Sequence, residues 1–247
     1  MRFSAKAQLR TNKLPRITIQ TMQNFVNLSF PVFGKQLPAD HNHRLYAAIC
    51  KELPQLHEMA GLAINTMAGI ADKQGKITLT QKSRLILRLP VEAIAQVYFL
   101  ADKTLNIGGY KIQLGNPELQ TLKAVEILKA RLVTIKGYKE AEAFLAAANR
   151  QLQNLGIDAN IGIPANDKGE PKRLTLKIKH KERQHIIVGF SVVVSDLNPE
   201  DSIKLQIHGL GGKRRLGSGL YYPNIPVSRH TRTQRGLGGN YAETTMG

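Results

Sequence analysis

Hydrophobic residues along this chain fall into short alternating runs separated by two helical stretches in each half. Asn27–Phe33 reads as a strand, and Lys35–Asp40 as a turn around Pro38. Asp40 is an expected N-cap for a helix from His41 to Leu53, since a carboxylate there can accept free backbone N–H groups. Strand signals follow at 62–70, 77–79 and 84–89, with a turn at 72–75. Pro90 opens a second helix over 91–100, and 106–114 supplies a strand pair around Gly108 and Gly109. Gly115-Asn116-Pro117 marks a seam.

Beyond the seam, 127–135 reads as a strand. Residues 138–155 form a helix with Phe144, Leu145, Ala148, Leu152 and Leu155 on one face. Two strands, 173–180 and 185–194, come next, then a helix opened by Asn198-Pro199-Glu200-Asp201. A strand at 220–222 closes the order. The pattern predicts an α+β protein of two tandem ferredoxin-like (RRM-like, βαββαβ) units, the first carrying a β-hairpin insert. The expected division is a basic arm at 1–24, domains at 25–117 and 118–227, and a flexible tail at 228–247. The aromatic signature of the RNA-recognition modules that share this topology is missing.

Charge sharpens the picture. The 247 residues carry 35 Lys and Arg against 18 Asp and Glu, a net charge of +17. Such an excess favours a polyanionic partner, nucleic acid first. Residues 1–39 hold six cations and no acid, and 171–226 hold ten cations against four acids. No apolar run approaches ~18 residues, so no membrane span is expected. Cys50 is the single cysteine, which excludes an internal disulfide and fits a reducing cytoplasm.

The segment from Gly209 to Gly219 is the most informative local feature. Gly209, Gly211, Gly212, Gly217 and Gly219 frame the cations Lys213, Arg214 and Arg215. Glycine permits positive φ and close approach to a ligand, and exposed N–H groups in such a loop can form an anion-binding concavity. Arg214 stands where a phosphate-binding P-loop needs Ser or Thr, and the following strand excludes a dinucleotide fingerprint. The expectation is a loop that grips a polyanion backbone. Arg173, Lys177 and Lys179 add three cations to one strand face, opposite Leu174, Leu176 and Ile178. Arg84 and Arg88 are weaker candidates of the same kind.

Several segments in one order resemble the CRISPR-associated endoribonucleases that cut precursor guide RNA within each repeat, members of the RAMP superfamily, and most closely their myxobacterial-type subgroup. They include Phe30-Pro-Val-Phe-Gly34, Leu37-Pro-Ala-Asp-His41, Leu53-Pro-Gln-Leu-His-Glu58, Ser83–Pro90, Ala130–Ile135, Glu200–Gln206 and Gly209–Gly219. Ser218 stands where that subgroup commonly carries cysteine. The resemblance implies metal-independent cleavage by the RNA's own 2′-hydroxyl, leaving a 2′,3′-cyclic phosphate and a 5′-hydroxyl, with no cofactor. It implies CRISPR repeat RNA as partner, with a multi-subunit effector complex as a further one. The rival within the superfamily is a non-catalytic RNA-binding subunit.

Histidine suits the proton steps of such a reaction. The resemblance points to His57 first, then His41, then His43, with Tyr46 from the same helix. His41 could equally serve the helix end, and Tyr46 could belong to the core.

Overall fold

The computed structural model describes the backbone of residues 24–72, 74–180 and 183–224, and the side chains of these except 179, 180, 183 and 184. The expected arm (apart from Asn24) and tail lie outside the described residues.

The first unit is built on β1 (Phe25–Phe33), whose Val26, Leu28, Phe30 and Val32 are buried at strand period. Helix α1 (Asn42–Glu52) follows, then β3 (Ala63–Ile64), β6 (Arg84–Pro90), the short α2 (Ile94–Tyr98) and the hairpin β7 (Thr104–Ile107)–β8 (Tyr110–Leu114). The sheet order is β3-β6-β1-β8-β7, antiparallel throughout. Leu45 and Ile49 of α1 and Val97 of α2 cover one face of it. A separate small sheet joins β2 (Gln36–Pro38), β5 (Lys76–Thr78) and β4 (Ile70–Ala71).

The second unit repeats the plan. Its core order is β10 (Leu128–Val133), α3 (Ala141–Asn154), β11 (Asn160–Gly162), β13 (Arg183–Ser195), α4 (Pro199–His208) and β14 (Tyr221–Pro223). The sheet runs β11-β13-β10-β14, so in each unit the strands lie second, third, first, fourth. Phe144 of α3 packs on Phe190 of β13 with ring centroids 4.8 Å apart. This is the expected pair of ferredoxin-like units.

Several element boundaries are corrected. β12 (Arg173–His180) is not a member of the βαββαβ set; the short β11 fills that place, and β12 forms a long hairpin with β13. The expected strand at 62–70 reduces to two dipeptide pieces in different sheets. Residues 91–93 wind as a 3-10 turn, which leaves α2 only five residues long. β9 (Glu118–Thr121), just past the expected seam, pairs with β1 of the first sheet. Asp40 does not cap α1: its Oδ2 accepts the Lys177 N–H at 2.8 Å, and His41 occupies the cap position without a side-chain cap bond. The start of α4 is as expected, with Asn198 Oδ1 accepting the Asp201 N–H at 2.8 Å.

The units meet along α1. Leu132, Leu176 and Leu216 of the second unit form a small apolar cluster on which Tyr46 of the first packs. Asn42 Nδ2 donates to the Leu216 carbonyl at 2.9 Å. Arg88, buried, donates from Nη1 to the carbonyls of Gln206 at 2.7 Å and Tyr221 at 2.8 Å. Its expected place on an RNA-facing surface is therefore corrected, because the guanidinium is a strut between the units. No helix among the described residues is long and apolar enough to cross a membrane.

Candidate active site in the groove between the units

Spacing within α1 prepares the site. His43 and Tyr46, three residues apart, share one helix face, while Leu45 and Ile49 are buried on another. Pro54 follows the helix and opens a 3-10 turn, Pro54–His57, that brings His57 back beside Tyr46. Tyr46 Oη lies 3.0 Å from His57 Nδ1, and the two rings meet edge-on with centroids 5.4 Å apart.

Arg215 reaches this pair from the second unit. Its Nη1 donates to the His57 carbonyl and lies 3.4 Å from Tyr46 Oη, and its Nη2 donates to the Met59 carbonyl at 2.8 Å. The guanidinium thus clamps the backbone that carries His57. Burial, then a hydrogen bond with Cys50, pushes the Tyr46 hydroxyl above the usual phenol range, so it remains protonated at neutral pH. The Cys50 thiol is likewise pushed up by burial.

His41 does not join the cluster. It is fully buried, with Nδ1 2.8 Å from the Pro38 carbonyl and Nε2 accepting the Met67 N–H at 3.2 Å. Both ring nitrogens are used, which fixes the neutral tautomer with its proton on Nδ1. Burial holds its pKa below the ordinary histidine value, against the opposing pull of the Pro38 carbonyl. The structure thus encloses His41, a sequence candidate for proton transfer, within the fold and does not bring it to the pair formed by Tyr46 and His57.

A groove of about 520 Å³ opens between the units, walled by His43, Tyr46 and Leu62 on one side and by Ile178, Lys213 and Arg215 on the other. Arg214 also lines it. The Nε and Nη2 of Arg214 are buried without a partner, and burial lowers its pKa to about 10. Arg88 is lowered to about 9, first by burial and then by the charge of Arg214. Neither guanidinium has a carboxylate partner among the described residues, which makes this junction electropositive.

The glycine segment is built differently from its expectation. Gly209 N–H donates to the Leu205 carbonyl at 2.8 Å, Gly211 to Gln151 Oε1 at 2.7 Å, and Gly212 to the Thr134 carbonyl at 2.9 Å. Gly217 donates to the Arg214 carbonyl at 3.3 Å and Gly219 to the Leu132 carbonyl at 2.8 Å. These five donors are committed inside the fold and form no anion-binding concavity. The glycines are needed for close packing instead: a Cβ at Gly211 (φ 71°) would run into the Thr134 carbonyl, and one at Gly217 (φ 79°) into Thr66 and Asn42. Charge on the loop resides in its side chains. Ser218, buried, accepts the Thr134 N–H on Oγ at 3.0 Å, which ties the loop to the residue that follows β10.

On β12, Leu176 is buried and Leu174 and Ile178 are half-buried, while Arg173 and Lys177 are exposed. The expected two-faced strand is present; the side chain of Lys179 lies outside the described residues. The Arg88 strut and the Asn42 bridge to Leu216 escaped sequence reasoning, since each joins residues more than a hundred positions apart. Among the described residues no three His, Cys, Asp or Glu side chains cluster as a metal site requires.

A family model described as Cas6 Crispr matches residues 26–225. A curated protein of Myxococcus xanthus strain DK1622, "CRISPR-associated endonuclease Cas6", is 35% identical over 210 residues, 85% of each chain. A solved structure titled "CRISPR associated protein Cas6" superposes with a TM-score of 0.55 at 12% identity, covering 80% of this chain and 98% of that one. A Cas6-related protein from Pyrococcus furiosus gives a TM-score of 0.51 at 14% identity over 80% of this chain and 97% of its own. These two structures share the fold.

Proposed function

The chain belongs to the Cas6 family, and from that premise we propose that it is a CRISPR repeat-processing endoribonuclease that cuts in the groove between its units. The observation that carries this reading is that Tyr46 and Arg215, which line one electropositive groove from the two units, both contact His57. The substrate is the repeat within precursor guide RNA, and the reaction takes place in the cytoplasm.

The nucleophile is the RNA's own 2′-hydroxyl. Its proton passes to His57, the 2′-oxygen bonds to the adjacent phosphorus, and the bond from phosphorus to the 5′-oxygen breaks. The products are a 2′,3′-cyclic phosphate and a 5′-hydroxyl. His57 accepts the proton on Nε2 when its Nδ1–H donates to Tyr46 Oη, so the phenol sets both the tautomer and the ring orientation. His43, on the same groove wall, donates the proton that the departing 5′-oxygen takes up.

Arg214, in the groove lining, faces the developing phosphorane charge; Lys213, at the groove's edge, holds an adjoining phosphate; Arg215 is a positioning residue through its hold on the His57 backbone. Arg173 and Lys177 extend the RNA path along β12. Because the nucleophile is internal to the substrate, neither proton step calls for a metal ion. Incubating labelled repeat RNA with the protein in excess chelator tests the reading. Cleavage at one position supports it, whereas tight binding without cleavage would favour a non-catalytic RNA-binding subunit.

A further inference from the structure

A second cavity, of about 500 Å³, lies behind Lys213, between the β10–α3 loop, β13 and the glycine segment. Its walls are apolar: Ile135, Ile186, Ile187 and Val188, closed at one end by Tyr138. Ile186 is 57% exposed there, opposite Lys177 of β12. Arg150 stacks 5.8 Å from the Tyr138 ring centroid and donates to its hydroxyl at 3.0 Å, which holds the ring in place. The exposed rim residues Lys136, Lys139 and Lys213 are all cations, and no acid lines the cavity.

Apolar walls, an aromatic ring held by Arg150, and lysines as the only charged lining residues match a heterocyclic base carrying phosphates on either side. Lys213 lines both this cavity and the groove beside Tyr46. It sits between them in left-handed backbone geometry (φ 66°), a conformation few lysines adopt. A strand whose scissile phosphate lay in the groove would pass its next phosphates over Lys213. Its following base would then meet the second cavity. Gln151, also on the wall, spends Oε1 on the Gly211 N–H, and its amide Nε2 has no partner among the described residues. That leaves one donor for a base carbonyl or ring nitrogen.

We propose that the cavity bounded by Tyr138, Ile186 and Gln151 is a nucleobase pocket that takes one unstacked base flanking the cut, with Lys213 holding the phosphate between pocket and groove. The proposal rests on the endoribonuclease reading and deepens it: cutting would depend on a base splayed out of the repeat as well as on its backbone.

The test is a set of repeat RNAs, each 2′-deoxy at the cut and abasic at one flanking position, bound to the wild type and to two variants. Gly212→Leu fills the cavity from a position where an added Cβ meets nothing within 4 Å. Gln151→Glu keeps the acceptor for Gly211 and replaces the donor. Thermal midpoints near the wild type's establish that both fold. One abasic position is expected to weaken wild-type binding about tenfold. The same lesion should cost Gly212→Leu less than about twofold, because its pocket is already closed. Gln151→Glu should show the intermediate dependence of a pocket that stacks without its hydrogen bond. If no lesion matters to the wild type, or each costs every protein the same factor, the pocket proposal is overturned while the cutting site stands. If the wild type binds no repeat RNA, the functional reading falls as well.

Discussion

Tyr46 Oη and His57 Nδ1 lie 3.0 Å apart, one on a regular helix and the other on the 3-10 turn after the proline that stops it. The contact gives His57 a fixed ring and leaves one nitrogen for a proton. His57→Ala should therefore slow single-turnover cleavage by about 10²–10⁴-fold with repeat affinity within a few fold of wild type. Tyr46→Phe should lose less, and its pH–rate profile should shift because the histidine has lost its partner. An unshifted profile with lowered thermal stability would mean that Tyr46 acts only in packing.

His41 behaves oppositely. His41→Ala leaves the Pro38 carbonyl and the Met67 N–H without partners, at a cost of about 1–3 kcal/mol each for buried groups. Cleavage per folded molecule should persist. The pH dependence has a definite sign. The folded-state pKa lies below 6.5, the value the unfolded chain retains, so the unfolded state binds the proton first. Stability is fully present above about pH 6.5 and falls as pH drops through the lowered folded value. Denaturant midpoints at neutral and acid pH should diverge more for wild type than for His41→Asn.

Two of the loop cations, Lys213 and Arg215, should separate in experiment. Lys213→Ala should reduce the salt slope of repeat binding by about 0.7–0.9, the value of one phosphate contact. Arg215→Ala should chiefly reduce the cleavage rate, since the His57 and Met59 carbonyls lose their clamp. A uniform loss of affinity from both variants, with no difference in cleavage rate, would contradict the division of labour.

Gly211→Val should unfold or strongly destabilise the second unit, because its Cβ meets the Thr134 carbonyl at a positive φ. Gly212→Ala has open space and should leave the thermal midpoint nearly unchanged. Equal behaviour of the two would show that the segment adapts its backbone.

What could be read from the chain was what local pattern controls. The alternation Leu174, Leu176, Ile178 against Arg173 and Lys177 describes β12 correctly, and Asn198-Pro199 marks the start of α4. The resemblance singled out His57 and Tyr46 together, and the two side chains do meet. The burial of His41 was not legible, since its second partner, Met67, comes from a segment 26 positions away. Asp40 looked like a cap because nothing local shows that the Lys177 N–H, 137 residues on, would claim its carboxylate. Glycines were read as exposed donors when tertiary packing uses them as points of closest approach. The place of β11 was missed because three residues carry no period.

The most direct test of the account is single-turnover cleavage of one repeat RNA in excess EDTA, with and without a 2′-deoxy substitution at the nucleotide before the cut. The account predicts that the all-ribose RNA is cut at one position at the rate seen in magnesium, leaving a 2′,3′-cyclic phosphate. The deoxy RNA should bind with similar affinity and remain intact. Cleavage of the deoxy RNA, or loss of all cleavage in EDTA, would contradict it.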